Sequence, residues 1–378
     1  MVIKARIRNF CELSNLATIS HKGTLKTVDG ETQMVNAYNS GEIYFIQELD
    51  PYTKKHTNFV KIGLVRTADG RDSFSRLFEH QTGNPRPLSL SKNLVVQTPA
   101  VDLVEAKLHQ HFSKQRIYGE WFEFSDPKEL KFAVKVAREF AAEVEPLVPL
   151  FKKSESLKLV VSNGKPKKAT SDDRQNAIAL AVAKNQLKVV KNLEDLLANA
   201  IYSAVDSGSD VSQATTTREI NYSPKFLENE FAKAHPKIYQ KYLEQKSKVE
   251  GSFLLKVKVD GIEALGREFL LNAESIHLKI NKLNPINKDF QVKIVDISLE
   301  LTHLKGICEW DVKVLETKLK VSLGKFDLFD GICSWKRAEK FSTKFNSTKF
   351  AQENPKLARE FVSVPKKSVT VKAKKVRA

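Results

Sequence analysis

The chain has 378 residues, of which 41% are hydrophobic and 28% charged, and its formal net charge is +17. This composition is typical of a folded protein of two or three domains and excludes an intrinsically disordered chain. No apolar run approaches the roughly 20 residues that a membrane-spanning helix needs, so a membrane protein is excluded as well. The first residues lack the apolar centre and the cleavage site of a signal peptide.

The cysteines are few and scattered. Cys11, Cys308 and Cys333 form no CxxC pair, so the sequence predicts neither a disulfide framework nor a zinc site. This usage favours a reducing, cytoplasmic location.

The positive charge is unevenly distributed along the chain. Residues 41–124 hold 11 Lys and Arg against 10 Asp and Glu, so nearly all of the excess lies elsewhere. A large positive net charge usually indicates a polyanionic partner. If that partner is nucleic acid, we expect most of the sequence-independent attraction to phosphate to come from outside this segment.

The predicted elements begin with a strand-rich N-terminal lead-in at 1–40, which carries no recognisable chemistry. Between 41 and 125 the pattern predicts one compact α/β unit. Its predicted strands are IYFIQEL, NFVKIGLV and LSLSKNLVVQT, and its predicted helices are RDSFSRLFEHQ and PAVDLVEAKLHQHF. The unit ends in GEWFEF.

Helices are predicted to follow this unit. The first covers 126–150, with Asp126 as its N-cap and Pro127 in its first turn. Residues 151–171 are polar and basic and are predicted to form a linker. A long amphipathic helix is predicted over 172–205, and we expect it to be the contact of any homodimer.

The second half of the chain contains an internal repeat. Residues 218–242 align without gaps to 337–361, with eight of 25 positions identical. The shared Phe and Pro positions predict one packed helical motif used twice. The predicted divisions are a first helical repeat region at 172–249, a strand/helix insert at 250–311 and a second helical repeat region at 312–365.

A basic tail is predicted at 366–378, with six Lys or Arg and no acidic residue. We expect its structure to be a solvated, disordered end, and phosphate binding is compatible with that expectation. The candidates for DNA contact are Lys366, Lys367, Lys372, Lys374, Lys375 and Arg377.

Polar residues within 41–124 recur in an order that suits phosphodiester hydrolysis. Arg76 and His80 lie four residues apart on the first helix, and Glu105 and His109 on the second, so each pair shares a helix face. Hydrolysis of a phosphodiester needs a base for the water, a cation for the phosphoryl oxygens and usually a metal held by a carboxylate.

Five blocks follow one another in this segment, namely IYF (43–45), VKIG (60–63), RLFEHQTGNP (76–85), VEAKLH (104–109) and GEWF (119–122). In this order they resemble the GIY-YIG nuclease superfamily, and most closely its phage-type subgroup. The resemblance implies a small three-stranded antiparallel sheet flanked by helices. Together with the mostly helical C-terminal region predicted above, this gives an α+β fold. The resemblance also implies DNA as the substrate and one divalent ion, Mg²⁺ or Mn²⁺.

The resemblance further implies roles for single residues. Tyr44 would help activate the attacking water, Arg76 would stabilise the pentavalent phosphate, and Glu105 would bind the metal. Lys61 stands where the superfamily has its second tyrosine, and this leaves the general base open between Tyr44 and His80. The predicted supporting positions are Gly63, His109, Glu120 and Trp121, the last as a core plug.

A shorter resemblance concerns residues 315–361. They are similar to the segment that follows the catalytic core in viral recombination-type exonucleases, which implies a DNA-handling appendage in a phage, prophage or phage-defence context.

Three functional hypotheses follow. The leading one is a metal-dependent DNA endonuclease whose basic C-terminal half binds DNA or a partner. The alternatives are a catalytically degenerate protein that recognises DNA structure, and an adaptor whose duplicated motif binds a protein partner. Salt dependence separates the adaptor from the others, because DNA binding weakens steeply with salt.

Overall fold

The structure is a computed structural model, and it describes residues 38–208, 215–222, 225–287, 289–363 and 366–373, with only the backbone described in 215–222 and 366–373. The predicted lead-in at 1–40 therefore lies almost wholly outside the described residues. The architecture is α+β, with mixed helices and antiparallel sheets, as predicted. None of the helices in the described part of the chain combines the length and apolarity that a bilayer crossing requires.

The N-terminal domain is built on a six-stranded antiparallel sheet. Its elements are β1 (Gly41–Leu49), β2 (His56–Arg66), α1 (Ser73–Thr82), β3 (Leu88–Ser89), β4 (Val95–Thr98), α2 (Val101–His111), β5 (Arg116–Tyr118) and β6 (Trp121–Glu123). Strand β1 pairs with β2 on one side and with both β3 and β4 on the other. The predicted third strand is thus interrupted by a short 3-10 helix at Lys92–Leu94. The three-stranded core of the prediction is present, and the β5–β6 hairpin extends it beyond β2.

The rest of the described chain is longer and more helical. Its elements are α3 (Pro127–Val144), α4 (Val148–Lys158), β7 (Pro166–Lys167), α5 (Ser171–Asp206), β8 (Thr215–Tyr222), α6 (Glu228–Ala234), α7 (Pro236–Lys241), β9 (Leu243–Glu250), β10 (Phe253–Leu255), α8 (Arg267–Asn281), α9 (Phe290–Leu323), β11 (Leu328–Phe329), β12 (Cys333–Trp335), β13 (Ala338–Phe345), α10 (Ser347–Glu353), α11 (Pro355–Glu360) and β14 (Lys366–Ala373).

Helices α2 and α3 cover one face of the sheet. Val104 and Leu108 of α2 are fully buried, as their spacing predicts, and Ala133 and Ala137 of α3 join the same core. The predicted start of α3 is confirmed, since the side chain of Asp126 accepts a hydrogen bond from a backbone N–H of its first turn. Helix α3 is therefore part of the N-terminal domain.

The predicted linker at 151–171 is largely structured. Helix α4 extends into it, with Phe151 and Leu157 buried, and β7 pairs with β11. Charge suggested a linker, but Phe151, Ser154 and Leu157 repeat every three residues and share one buried face. Burial of this face favours a helix more strongly than the surrounding lysines favour a solvated linker.

The long helix predicted over 172–205 is confirmed as α5, which Thr170 and Asp173 cap with a reciprocal pair of hydrogen bonds. Its apolar stripe, including Leu193 and Leu197, is buried in a core shared with α8 and α9. The stripe is used within the chain, so the prediction that it forms a homodimer contact is not supported.

Helix α9 crosses the boundary predicted between residues 311 and 312, because it is continuous over 34 residues. Gly306 lies in its middle, where glycine normally weakens a helix. A Cβ at Gly306 would overlap the side-chain amide of Gln110, which donates a hydrogen bond to the Thr302 carbonyl at 2.8 Å. Gly306 therefore allows α2 of the N-terminal domain to approach α9 closely.

The duplicated motif is a strand–helix–helix–strand unit and not the helical unit predicted. Helices α6 and α7 recur as α10 and α11 at the offset of the sequence repeat. Strand β9 pairs with β13, and β8 with β14, so each two-stranded ribbon contains one strand from each copy. The pair Glu250↔Ala338 in one ribbon corresponds, through the repeat offset, to Val369↔Glu219 in the other. The two copies are therefore related by an internal two-fold symmetry.

The two copies also share one aromatic core. The equivalent residues Phe231 and Phe350 lie with ring centroids 4.5 Å apart, and Phe226 stacks on its equivalent Phe345 at 5.5 Å. Neither copy buries this surface alone, so the two fold as one body, here called the paired motif (215–250 and 338–373).

Strand β14 corrects the prediction of a disordered tail, since residues 366–373 pair along their length with β8. Its alternating Ser, Val and Thr residues are typical of a strand, whereas the lysines around them favoured a solvated end. The remaining candidates for DNA contact, Lys374, Lys375 and Arg377, lie outside the described residues.

One buried arginine connects the paired motif to the helical body. Arg337 is 2% exposed and stacks on Trp335, 4.0 Å from the ring centroid. Its guanidinium donates to the carbonyls of Leu157 at 2.7 Å and Gly324 at 2.6 Å, at the ends of α4 and α9.

Candidate active site

The centre of the candidate site is the cross-strand pair of Tyr44 on β1 and Gly63 on β2. The tyrosine is 1% exposed and packs in a small cluster that includes Leu88. A Cβ on Gly63 would lie 2.6 Å from Cζ and 2.8 Å from Cε2 of Tyr44, closer than real contacts allow. The glycine of the KIG block is therefore needed because the tyrosine ring lies across its backbone.

We expect Gly63→Ala to displace the Tyr44 ring and to lower the free energy of unfolding by about 1–3 kcal/mol, because the added methyl overpacks the strand pair. Urea denaturation measures this change. Gly83→Ala is the matched control, since Gly83 has a φ of −102° and nothing within 4 Å of its added Cβ. Equal stability of the two variants would contradict the steric argument.

Helix α1 is held in place at its N-terminus. Glu42 of β1 accepts hydrogen bonds from the backbone N–H of Ser73 at 2.8 Å and from its hydroxyl at 2.6 Å, and Asp72 caps the helix. This orientation brings His80 to the tyrosine, with 3.0 Å between Tyr44 Oη and His80 Nε2.

Gln81 fixes the other end of α1, a role that the sequence prediction missed. Its side-chain oxygen accepts from the Leu88 N–H at 2.7 Å, and its amide donates to the carbonyls of Asn84 and Arg86. The block HQTGNP therefore serves the geometry of the loop after α1. The signal available in the sequence was the position of Gln81 just before the breaker residues of that block.

A cleft of about 260 Å³ opens beside the tyrosine. Its lining combines aromatic, basic and acidic side chains, namely Tyr44, Leu64, Val65, Arg66, Asp69, Arg71, Arg76, Glu105 and Glu120. The structure thus brings together four of the predicted residues on one surface. The sequence prediction missed Arg66, Asp69 and Arg71, although an arginine at every fifth position from 66 to 76 was a usable signal.

Tyr44 and His80 differ in their readiness to accept a proton. Burial raises the pKa of Tyr44 to about 12, against the opposing charge of Arg76, so the phenol stays protonated near neutral pH. Burial and then the charges of Lys61 and Arg76 lower the pKa of His80 below its usual range. The imidazole is therefore neutral at pH 7, with a nitrogen able to accept a proton.

Among the acids that line the cleft, Glu105 is the one whose negative charge is not balanced by an ion pair with any residue that the structure describes. Burial, followed by the charges of Glu120 and Asp102, raises its pKa to about 7. Within the described part of the chain it forms no hydrogen bond or ion pair. A half-buried carboxylate that faces a cleft without a cationic partner is suited to bind a cation there.

Lys61 is engaged by Glu120, with which it forms an ion pair and hydrogen bond. Burial would raise the pKa of Glu120, but the hydrogen bond and charge of Lys61 outweigh burial and lower it. Lys61 is itself buried. Glu120 therefore holds the Lys61 side chain in place, and the charge of Lys61 acts on His80.

Arg76 is paired with an acid of its own helix. Glu79 contacts Arg76 and also accepts from Arg71 Nη1 at 2.8 Å. The two arginines thus share one carboxylate at the edge of the cleft, an arrangement that a phosphate group matches in charge and shape.

The remaining predicted residues support the sheet. His109 Nε2 lies 3.0 Å from the Ile62 carbonyl and must carry the hydrogen of that bond, while the ring packs on Phe122. Burial lowers the pKa of His109, so it stays neutral. Trp121 pairs with Lys61 across β2 and β6 and packs against the cluster around Tyr44.

The donor set for a metal is small. Within the described residues no group of three or more His, Cys, Asp or Glu side chains is arranged to hold an ion. Three carboxylates line the cleft, namely Glu105, Glu120 and Asp69. Oxygen ligands in this number suit Mg²⁺ or Mn²⁺, which keep several waters when bound.

One known family matches the part of the chain that contains the candidate site. The family described as the T5orf172 domain matches residues 41–144, from β1 to the end of α3. That domain is phage-associated and is related to GIY-YIG and HNH-like nucleases. Neither a curated protein nor a solved structure matches the chain.

Proposed function

We propose that residues 41–144 form a metal-dependent DNA endonuclease of the GIY-YIG type. The observation that carries this proposal is the contact of 3.0 Å between Tyr44 Oη and His80 Nε2, beside a cleft lined by Arg76 and Glu105. A proton acceptor, a fixed cation and an unpaired carboxylate are the groups that phosphodiester hydrolysis requires. The nuclease-like character of the matched domain supports DNA as the substrate.

The proton would pass from water to the phenol and from the phenol to the imidazole. Tyr44 is a poor base alone, because its pKa is about 12. The lowered pKa of His80 leaves Nε2 able to accept the phenolic hydrogen as Oη takes one from water. The hydroxide so formed would attack phosphorus while the bond from phosphorus to the leaving ester oxygen breaks. The imidazolium holds the proton taken from water, and a proton from solvent or from this imidazolium would neutralise the leaving oxygen. In this proposal His80 is the final base and Tyr44 is the relay.

Arg76 would contact the phosphoryl oxygens. The Arg76 guanidinium is bound by the Glu79 carboxylate. A bound phosphate, which is more negative, would displace that carboxylate. Arg71, held by the same carboxylate, would contact a neighbouring phosphate.

Glu105 would hold the metal, with Glu120 as a further carboxylate of the same cleft. A bound divalent ion would supply neutralisation of the charge that develops on the phosphoryl and leaving oxygens. Binding requires the ionised form of Glu105, so a pKa of about 7 makes metal affinity fall as the pH drops below neutrality.

Plasmid nicking with Mg²⁺ or Mn²⁺ tests the proposal. We expect Arg76→Ala to lower the nicking rate about 10²–10³-fold, because it removes the cation that stabilises the transition state. Arg86→Ala is the matched control, since Arg86 forms an ion pair with Glu48 outside the cleft. Equal cleavage by wild type and both variants would mean that the site lies elsewhere.

A second candidate function is recognition of DNA structure without cleavage. It is favoured by Lys61, which stands at the position of the superfamily's second tyrosine and is held by Glu120. DNA binding that weakens with salt, without nicking under any metal, would select this alternative.

A further inference from the structure

The paired motif carries a large share of the chain's positive charge. It holds 15 Lys and Arg against 8 Asp and Glu, while the segment with the candidate active site is almost neutral. Its ribbons are two-stranded, and most side chains described in the β9/β13 ribbon are exposed. This surface lies outside the residues that match the nuclease-like domain.

One face of the β9/β13 ribbon is rich in lysine. The strand register places Lys246 and Lys248 of β9 on the same face as Lys340 and Lys344 of β13. All four are exposed. Glu244 and Glu250 are the only acids at the register positions of this face, and they lie at its two ends.

The lysines of this face are only partly neutralised, since Lys344 lies opposite Glu244 but the other three have no acid opposite them in the described strand register. Lys248 lies directly opposite Lys340, and like charges at such positions destabilise a strand pair. Lys340 reaches Glu250 at 3.4 Å, but the other three form no ion pair within the described residues. The lysine side chains therefore repel one another across the ribbon, and a bound anionic ligand would reduce that repulsion.

The shape of the ribbon fits duplex DNA. The major groove admits a two-stranded β-ribbon, and eight residue pairs span roughly 25 Å. Strands β8 and β14 form a second ribbon, and the internal two-fold symmetry gives it the same register as the first. A protein with two-fold symmetry matches the two-fold symmetry of a DNA duplex.

We propose that the paired motif binds duplex DNA, with the four-lysine face of the β9/β13 ribbon on the phosphates and the symmetry-related ribbon on the same duplex. The proposal does not rest on cleavage at the N-terminal site, since a non-cutting protein would bind in the same way. It goes beyond the tail lysines predicted from the sequence, because it assigns contacts to residues inside the fold.

Fluorescence anisotropy with a labelled 30-base-pair duplex tests it, with the full chain in EDTA so that metal-dependent cleavage cannot occur. The test variant carries Lys246→Gln, Lys248→Gln, Lys340→Gln and Lys344→Gln. We expect its Kd at 100 mM salt to rise at least about tenfold, and the slope of log affinity against log salt to become shallower by about 3 to 4.

The control variant changes four exposed lysines of α3 and α4, namely Lys128, Lys131, Lys152 and Lys153, to Gln. It has the same net charge as the test variant, and we expect its slope to change by less than 1. Equal losses in the two variants, or an undiminished slope in the test variant, would overturn the proposal. Equal wild-type affinity for single-stranded DNA or RNA would overturn it too.

Nicking separates this inference from the proposed function. If the test variant binds weakly while wild type does not nick, the inference stands and the nuclease proposal fails. If the test variant binds normally while Arg76→Ala abolishes nicking, the nuclease proposal stands and this inference fails.

Discussion

Glu105→Gln is expected to reduce metal-dependent nicking at least about 10³-fold while making the folded protein more stable at pH 8. The loss of nicking follows because an amide cannot supply the anionic oxygen that a divalent ion prefers. The gain in stability follows because a carboxyl whose pKa rises to about 7 on folding opposes folding once it is ionised.

The gain should depend on pH in a defined direction. Wild type holds the Glu105 proton more tightly when folded than when unfolded, so its stability falls as the pH rises from about 4.5 to 7. The Gln variant lacks this dependence. We expect the two proteins to be equally stable near pH 4 and the variant to be about 1–3 kcal/mol more stable at pH 8 without divalent metal.

Urea denaturation at both pH values, in EDTA, measures this difference. Glu123→Gln, an exposed carboxyl on β6 outside the cleft, is the control and should change neither stability nor nicking. A Glu105→Gln protein that nicks normally would remove Glu105 from the metal site. One that is less stable than wild type at pH 8 would contradict the raised pKa of the Glu105 carboxyl.

Arg337→Ala is expected to lower the free energy of unfolding by about 3–5 kcal/mol. The substitution leaves the Gly324 carbonyl without its side-chain donor and the Leu157 carbonyl with only the Val160 N–H at 3.2 Å. It also opens a cavity against Trp335. Each of these losses costs about 1–3 kcal/mol.

The same urea measurement at pH 7 tests this expectation. Lys336→Ala changes the exposed neighbour and should leave stability within about 0.5 kcal/mol of wild type. Arg337→Lys retains the charge but cannot bridge both carbonyls in the same way, so we expect an intermediate loss. If Arg337→Ala matched Lys336→Ala, the arginine would not connect the paired motif to the helical body.

The elements with strong local patterns could be predicted from the sequence. Strands β1 and β2, helices α1, α2 and α3 and the long helix α5 lie where the apolar periodicity and the caps predicted them. Tyr44, Arg76, Glu105 and Glu120 each belong to one of the blocks that carry the family resemblance, and all four line one cleft. Tyr44 lies in the sheet, whereas Arg76 and Glu105 lie on helices α1 and α2.

The elements that depend on distant partners could not be predicted. Strand β14 has a strand-like alternation, but only its pairing with β8, more than a hundred residues earlier, distinguishes it from a basic tail. Arg66 enters the cleft because its pairing with Asp102 joins β2 to α2. Such contacts join segments far apart in the chain, and local periodicity carries no information about them.

The interleaving of the two copies has a consequence for synthesis of the chain. Strand β8 emerges from the ribosome about 150 residues before its partner β14, which at about 5–20 residues per second is a wait of roughly 8 to 30 seconds. During that time the first copy exposes unpaired strand edges and half of an aromatic core. A second chain that is being made on the same messenger RNA can supply the second copy of the motif in place of the chain's own. Domain-swapped assembly therefore competes with correct folding during translation.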